Sequence, residues 1–303
     1  MDAFLERVAQ FALLLDLGPL AKSAIKGFLI YSAFLLVVYL FERRSGADSA
    51  RYRTRNFAND VLYTLFYKGG FYSILVLAAT TNALGSRLGF LQLDLLRGLP
   101  WWAGLGIFWV AGDFVTYWWH RLQHANRFLW AFHSVHHSQE QMTLFAASRR
   151  HPVEELSMDV LLYFGIFHML LGIPTRGWMP LGVFITCLAA IQHAQVDWRF
   201  GPLYRVFVSP RFHSYHHSVE SRHANANFAF LFSFWDYLFG TAVSEPLPPA
   251  RYGVAGLNMP ERLTDHLLNP FRLLWRWRRG PEAASASPTA ARGPTPEAPA
   301  PLS

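Results

Sequence analysis

Three short histidine boxes constrain this chain more than any other feature, because their spacing puts each box on one face of a helix. The first box is H-x-x-x-H, whose two histidines lie about one helical turn apart. The second and third boxes both read H-x-x-H-H and start 80 residues apart. The box histidines are His120 and His124, then His133, His136 and His137, then His213, His216 and His217. Several imidazoles on one face are costly in a core unless they are bound, so the boxes indicate a shared metal site.

The number of imidazoles favours two metal ions over one. A zinc site needs three or four protein ligands, whereas the boxes hold eight histidines and His193, at the end of an apolar run, makes a ninth. Imidazole suits zinc, copper, iron and nickel, so the ligand type alone does not name the metal. Two redox-active irons can bind and cleave O₂ together, which two zincs cannot. The donor set therefore predicts two iron ions, with O₂ as co-substrate.

The composition predicts a membrane protein. Hydrophobic residues make up 52% of the 303 residues and charged ones only 16%, against about 25% in an average soluble domain. The net charge is +7, and its arginines cluster beside apolar runs, which indicates membrane orientation and excludes a nucleic-acid binder. The single cysteine, Cys187, leaves no internal disulfide and no thiolate metal site.

Apolar runs predict the membrane segments. We expect three spans and a hairpin of two short runs, at residues 27–41, 61–84 and 99–118, then 160–171 and 179–191. Lys68-Gly69-Gly70 is a weak point inside the second span, and residues 3–20 are typical of an interfacial helix. The positive-inside rule places the arginine-rich loop 43–55 and all the histidine boxes in the cytoplasm.

These segments predict an all-α fold, namely a polytopic membrane helical bundle with a cytoplasmic histidine-rich helical cap. We divide the chain into N-terminal membrane helices at 1–98, a catalytic region with the boxes and the hairpin at 99–245, a C-terminal surface segment at 246–280 and a disordered tail at 281–303. The tail has no periodicity and is rich in Pro, Ala, Ser and Thr. Its Ala, Pro and Arg bias indicates a GC-rich bacterial genome, and hence the bacterial inner membrane.

The boxes and their flanks resemble the fatty acid hydroxylase/sterol desaturase superfamily over residues 113–241. Three flanking runs carry the resemblance: D-F-V-T-Y-W-W-H-R at 113–121, R-H-P-V-E at 150–154 and W-D-Y-L-F-G-T at 235–241. The boxes also occur in the family's order, with an apolar hairpin before the third. The sequence departs from the family at 227–229, where Asn-Phe-Ala replaces the common Asn-Tyr-Gly. The resemblance therefore predicts the metal site and leaves the substrate open.

The resemblance implies a helical membrane protein with a dimetal site facing the cytoplasm. Members use O₂ and external electrons to hydroxylate or desaturate lipids. Carried over to this sequence, the eight box histidines are the metal ligands. His193 resembles an isolated histidine that some members place before the last box.

Three further residues are candidates for the site. Asp113 lies seven residues before His120 in an apolar span, and we expect it to accept the free N–H of a ligand imidazole. A buried Asp bonded to a neighbouring helix is the alternative. His151 precedes Pro152 and is a candidate catalytic residue or ligand, with an interfacial histidine as the alternative. His223, in a polar loop, is a possible additional ligand.

We interpret the chain as an O₂-dependent di-iron membrane oxygenase that hydroxylates an acyl, alkyl, sterol or isoprenoid chain of a lipid. Desaturation on the same centre is an alternative, because both reactions begin with the same hydrogen abstraction. A membrane zinc hydrolase would normally carry HExxH, which this sequence lacks. A non-enzymatic metal-binding carrier would place its ligands along a transmembrane path, whereas these histidines cluster at one interface.

The sequence predicts a separate electron donor, because it contains no GxGxxG fingerprint, no CxxCH and no cysteine set for an iron–sulfur cluster. We expect a cytochrome b5-, ferredoxin- or flavin-reductase-type protein. An acidic donor would dock on basic side chains near the third box. The candidates are Arg199, Arg205, Arg211 and Arg222.

Reporter fusions test the predicted topology. We expect fusions after Arg55 and after Thr241 to report the cytoplasm, and a fusion after Arg97 to report the periplasm, because arginine-rich loops stay inside. A periplasmic signal after Thr241 would put the third box on the other side of the membrane and contradict a shared site.

Overall fold

The computed structural model describes residues 17–72, 76, 78–172, 178–257, 259 and 261–279. Within these ranges the chain is helical and forms no strand, apart from an isolated bridge between Ser218 and Tyr252. The α-helices are α1 (Leu17–Arg44), α2 (Arg55–Lys68), α3 (Ala78–Leu88), α4 (Trp101–Ala125), α5 (Arg127–His137), α6 (Pro152–Asp159), α7 (Trp178–Gln192), α8 (Pro210–His216), α9 (Phe234–Leu238) and α10 (Leu263–Arg278). The all-α part of the predicted fold class is confirmed.

Short segments of tighter or wider helix join these elements. Within the described ranges, 3-10 turns lie at Ser49–Arg53, Gly89–Leu91, Leu144–Ser148, Gly201–Arg205 and Ser221–His223. Val160–Leu170 is a π-helix that continues α6 without a break, so the first run of the predicted hairpin is helical. Most of the predicted interfacial helix at 3–20, the hairpin turn at 173–177 and the tail at 281–303 lie outside the described residues.

The first predicted span is a helix and is the clearest membrane candidate. Its apolar stretch, Ala21–Arg44, has 24 residues and a mean hydropathy of 2.0. Within the part of the chain that the structure describes, it is the one helix long and apolar enough to cross a membrane. The third predicted span is also helical, and α4 continues past it to residue 125. The first histidine box therefore lies on the same helix as this apolar run.

The second predicted span is not one helix, and the chain breaks at the weak point found in the sequence. α2 ends at Lys68, where the N–H of Gly69 donates to the carbonyl of Leu65 at 3.0 Å. A Cβ atom at residue 69 would lie 2.2 Å from that carbonyl oxygen, so a larger residue would have to displace the backbone. Gly70 follows with a φ of +97°, which favours glycine. The next described α-helix begins at Ala78.

Apolar packing fixes the helices whose C-terminal ends carry histidines. Tyr31 and Leu35 of α1 share a core with Ala190 of α7. Phe108 of α4 meets Phe167 of the π-helix, with ring centroids 4.4 Å apart. This packing holds α4 and α7 in place, and with them the first histidine box and His193 at their C-terminal ends.

A buried ion pair ties α2 to the segment that follows the second box. Arg149 Nε lies 2.5 Å from Asp60 Oδ1, and both side chains are 1% exposed. Gln139 donates to the other carboxylate oxygen of Asp60 at 2.8 Å, and Arg149 Nη2 donates to the carbonyl of Asn56 at 2.9 Å. These bonds satisfy both charges inside the protein, which a buried pair requires.

Loss of Asp60 should therefore be strongly destabilising. We expect Asp60→Ala to lower the free energy of unfolding by about 3–5 kcal/mol, because it leaves the Arg149 guanidinium buried without its anion. Asp265→Ala removes the partly exposed partner of the exposed Arg272 and serves as the control, with an expected loss below about 1 kcal/mol. Denaturant unfolding in detergent measures both, and equal losses would contradict the assigned role.

Candidate metal centre

Four segments bring the predicted ligands together. His120 and His124 lie on the last turns of α4, and the second box ends α5. Asn126 separates these two helices and caps α5, because its side chain accepts the N–H groups of Phe128 and Leu129. His193 directly follows α7, and the third box begins on α8 and ends at the residue after it.

The nine predicted ligands form two groups, each able to hold a metal ion. Within a group, every residue offers a nitrogen that lies within 4.8 Å of the others. The first group is His120, His124, His133, His137 and His216, and the second is His136, His193, His213 and His217. All are buried except His120, which is partly exposed.

The division follows the helix period rather than the boxes. In each H-x-x-H-H box the first and last histidines join one group, and the middle histidine joins the other. At 3.6 residues per turn, positions i and i+4 diverge by about 40°, whereas i+3 points about 60° to the other side of i. The second and third boxes therefore each contribute to both groups, which holds the two groups next to each other.

His136 and His193 give the clearest sign that a cation belongs between the rings. Their Nδ1 atoms face the carbonyls of Arg149 and Ala189, at 3.1 and 2.8 Å. A carbonyl only accepts, so both Nδ1 atoms carry protons. Burial lowers the pKa of both rings, that of His193 to about 3, so neither takes a second proton at neutral pH. Their Nε2 lone pairs therefore face each other 3.4 Å apart.

The distances between facing nitrogens fit ligands of one ion. Two nitrogens bound at about 2.1 Å to a shared metal lie roughly 3.0–3.4 Å apart for right-angled to tetrahedral geometry. In the second group, His193–His213 and His213–His217 have Nε2 separations of 3.3 and 3.1 Å. In the first group, His133 Nε2 lies 3.1 Å from the Nε2 atoms of both His120 and His137. The residues present therefore fit a metal ion in each group.

Backbone carbonyls orient imidazole rings in the first group, as they do in the second. His120 Nδ1 donates to the carbonyl of Phe228, and His216 Nδ1 donates to that of Ala226, each at 2.8 Å. Burial lowers the pKa of His216 to about 4, so its ring is neutral. His216 Nε2 has no hydrogen-bond partner among the described residues. Such an unsatisfied buried nitrogen is expected where a metal binds.

Glu154 is a supporting residue that the sequence analysis did not identify. Its Oε1 lies 2.8 Å from Nδ1 of His133, and both side chains are almost fully buried. Burial raises the pKa of Glu154 to about 8, while Arg150 opposes that rise. A metal ion on His133 would favour the charged form of this carboxyl, and a carboxylate behind a ligand imidazole fixes the ring's tautomer and raises its basicity. The acid stands in the R-H-P-V-E run, but nothing local shows that it reaches a ligand 21 positions away.

Asp236 and Asn227 shape the loop that carries the accepting carbonyls. Asp236 is fully buried and accepts the N–H groups of Phe228 and Ala229 at 2.8 and 2.9 Å. Asn227 has a φ of +58° and donates to the carbonyls of two neighbouring segments. The Phe228 ring, at the position where the sequence departs from the family, packs against His124 with centroids 5.1 Å apart. The departure therefore lies in the wall of the first group.

Asp113 supports the backbone and not a ligand imidazole, which differs from the role predicted for it. Its two carboxylate oxygens accept the N–H groups of Leu231 and Phe232, at 2.7 and 2.8 Å. The imidazole N–H groups are instead accepted by backbone carbonyls and, at His133, by Glu154. Asp113 thus holds the loop just after Phe228, and its link to the metal site is through that loop.

His151 and His223 lie outside both groups. His151 Nδ1 accepts the N–H of Val153 as the N-cap of α6, and its Nε2 donates to the carbonyl of Leu267 in α10. His223 Nδ1 lies 2.9 Å from Ser218 Oγ, and its Nε2 lies 3.1 Å from Glu245 Oε1. In both residues the two ring nitrogens are occupied by protein groups, so the structure brings neither into contact with the other ligands.

The arginines predicted to dock an electron donor are mostly paired within the chain. Arg199 and Arg211 share Asp197, at 3.1 and 2.6 Å. Arg222 lies 2.7 Å from Glu220. These pairs balance the positive charge locally, which weakens this surface as a site for an acidic protein.

Comparison with known proteins places the histidine region in a described family. Residues 105–241 match the fatty acid hydroxylase family model. The chain is 28% identical over 239 residues to ornithine lipid hydroxylase OlsE of Rhizobium tropici, which covers 75% of this chain and 70% of that protein. It is 25% identical over 231 residues to methylsterol monooxygenase 1-1 of Arabidopsis thaliana, covering 71% and 74%.

A further relative matches a shorter part of the chain. Alkylglycerol monooxygenase of Homo sapiens is 30% identical over 153 residues, which covers 50% of this chain and 33% of that protein. The chain therefore spans about a third of the length of that relative. No solved structure is significantly similar to this chain.

The role of Glu154 can be tested by metal affinity. We expect Glu154→Gln to weaken metal binding by about 10–100-fold, because glutamine can still accept from His133 but cannot supply the charge. Glu140→Gln removes an exposed carboxylate and is the matched control. Titration against a chelator of known affinity measures both variants. Unchanged affinity in Glu154→Gln would show that the pair only packs the core.

Proposed function

This chain belongs to the fatty acid hydroxylase/sterol desaturase superfamily, and we propose that it is a membrane oxygenase that uses two iron ions and O₂ to hydroxylate a lipid. The observation that carries the proposal is the pair His136 and His193, whose unprotonated Nε2 atoms face each other in a buried site. The first group, with five histidines, lies beside this pair and would hold the other ion.

The histidine groups favour two iron ions over two zinc ions. When bound, two ferrous ions would supply the one-electron chemistry that O₂ activation needs. The groups contain nitrogen donors only, five and four in number, which exceeds what two closed zinc sites require. Imidazole alone does not exclude zinc, so the metal itself is a matter for measurement.

The protein's own groups hold and enclose the reacting centre. Carbonyls and Glu154 fix the ring orientations, so the nitrogens need not reorganise during the reaction. Trp130 and Phe228 pack on the first group, with ring centroids 4.9 and 5.1 Å from that of His124, and exclude water from that side. Hydroxylation of a C–H bond by O₂ consumes two electrons and two protons and releases one water molecule. We propose that a separate reductase-type protein supplies the electrons.

Exposed apolar side chains support a multi-pass membrane location. Leu29 on α1 is 62% exposed, and Trp101 and Trp102 on α4 are 79% and 65% exposed. Soluble monomers rarely expose contiguous apolar surface of this kind, whereas a bilayer would cover it. The names of the relatives, which are hydroxylases or monooxygenases of ornithine lipid, alkylglycerol and methylsterol, support a lipid substrate and favour hydroxylation over desaturation. We propose the inner membrane, with the site on the cytoplasmic face.

Metal analysis and isotope labelling together test the proposal. Protein produced with iron and without excess zinc should contain about two irons per chain and, with a chemical reductant and a lipid extract, insert one atom of isotopically heavy O₂ into a lipid. We expect His136→Ala to abolish this incorporation, because it removes a ligand from the second group. Trp275→Ala, at an exposed position of α10, is the control and should stay active. Protein that holds one zinc and no iron would contradict the proposal.

A further inference from the structure

A cavity joins the apolar helices to the histidine region. Its free volume is about 120 Å³, and it lies between α4, the π-helix and α7. Phe108 of α4 and Leu162 and Phe167 of the π-helix form its apolar wall. The cavity also reaches Ala189, whose carbonyl orients His193, and Leu231, whose N–H is held by Asp113. It therefore ends beside the backbone that supports the metal groups.

The other wall of the same cavity is charged. Lys68, Arg150, Glu155 and Asp159 line it together. Glu155 serves both cations, since its Oε1 lies 3.2 Å from Lys68 Nζ and its Oε2 lies 3.6 Å from Arg150 Nη1. Glu155 is thus shared between two positive groups, while Glu154, which also acts electrostatically on Arg150, is held by His133. Burial and the nearby Glu155 raise the pKa of Asp159 to about 7, so this second carboxyl offsets the cations only in part.

Arg150 has hydrogen-bonding capacity that the protein does not use. Its Nε is buried and has no hydrogen-bond partner in the part of the chain that the structure describes. A guanidinium carries five N–H donors, and its approach to Glu155 at 3.6 Å is longer than a normal hydrogen bond. The Arg150 side chain is 24% exposed, but a buried donor such as this Nε is costly unless a ligand meets it. Planar anions such as carboxylates and phosphates match them best.

We propose that Arg150, assisted by Lys68, binds an anionic oxygen group on the headgroup of the lipid substrate, a carboxylate or a phosphate. The inference rests on the proposed function and names the substrate class. Because the apolar and charged walls belong to one cavity, the proposed ligand carries a chain beside its anion and is not a free inorganic anion. Arg150 follows the residue whose carbonyl orients His136, so the headgroup would be held next to the metal groups.

A pair of matched lipids tests this inference by binding alone. One lipid is a long-chain N-acyl amino acid with a free carboxylate, and the other is its methyl ester, which keeps the shape and loses the charge. A lysophosphatidic acid with the same chain tests the phosphate. Binding is measured by native mass spectrometry on the metal-loaded protein in detergent without reductant, so no turnover occurs.

We expect the protein to bind the free acid, or the phosphate, roughly tenfold more tightly than the ester. A hydrogen bond to a charged group typically changes the affinity by about this factor. Arg150→Gln should abolish this preference and leave ester binding unchanged, while Arg150→Lys should keep part of it. Arg55→Gln removes an exposed arginine of α2 outside the cavity and should behave as the parent. Unchanged ester binding also shows that the Arg150→Gln protein is folded.

Two results would overturn the inference. One is equal binding of acid, phosphate and ester by the parent protein, which decides the question even if Arg150→Gln does not fold. The other is a preference that survives in Arg150→Gln. Inorganic phosphate that displaces the acid at equal concentration would show a free-anion site and would also contradict the proposal. Because binding needs no electrons, hydroxylation of an uncharged lipid would leave the proposed function standing while this inference fails.

Discussion

Neutral imidazoles whose bare nitrogens face each other in a buried core repel each other, and a cation between them would remove this repulsion; the rest of the architecture depends on this constraint. The nine histidines of the two groups come from four separate segments. Their burial keeps the rings unprotonated and so available as ligands. The same burial makes the arrangement costly without its ions. The apolar helices, the caps and the loops all serve to bring these four segments to one place.

Buried carboxylates hold the site, mostly without touching it. Asp60 fixes Arg149, whose carbonyl orients His136. Asp236 fixes the backbone at Phe228, whose carbonyl orients His120. Glu154 alone among the carboxylates discussed here reaches a ligand directly. The rings of His136 and His120 are therefore oriented by backbone groups that buried carboxylates anchor, so a substitution two contacts away from the site can still change the orientation of its histidines.

The sequence predicted the helical class and the histidines that the structure brings together, because both depend largely on local spacing. Histidines at i, i+3 and i+4 must share a helix face, and the break at Lys68-Gly69-Gly70 is a local property of two glycines. The roles of Asp113 and His151 were not predictable in the same way. Their partners, Leu231 and Leu267, are backbone groups more than 100 positions away in the chain, and any residue type can supply a backbone group. Tertiary hydrogen bonds to the main chain have no signature in sequence.

The histidines of the two groups are distributed differently along the chain, and this difference has a consequence for biosynthesis. Four of the five histidines of the first group lie between residues 120 and 137, whereas the second group has only His136 before residue 193. A growing chain therefore exposes four imidazoles long before the partners of His136 have been translated. Four nitrogens already meet the needs of zinc, which binds nitrogen sites more tightly than ferrous iron. The metal content of the finished protein would then depend on which ions surround the nascent chain, and not only on the completed fold.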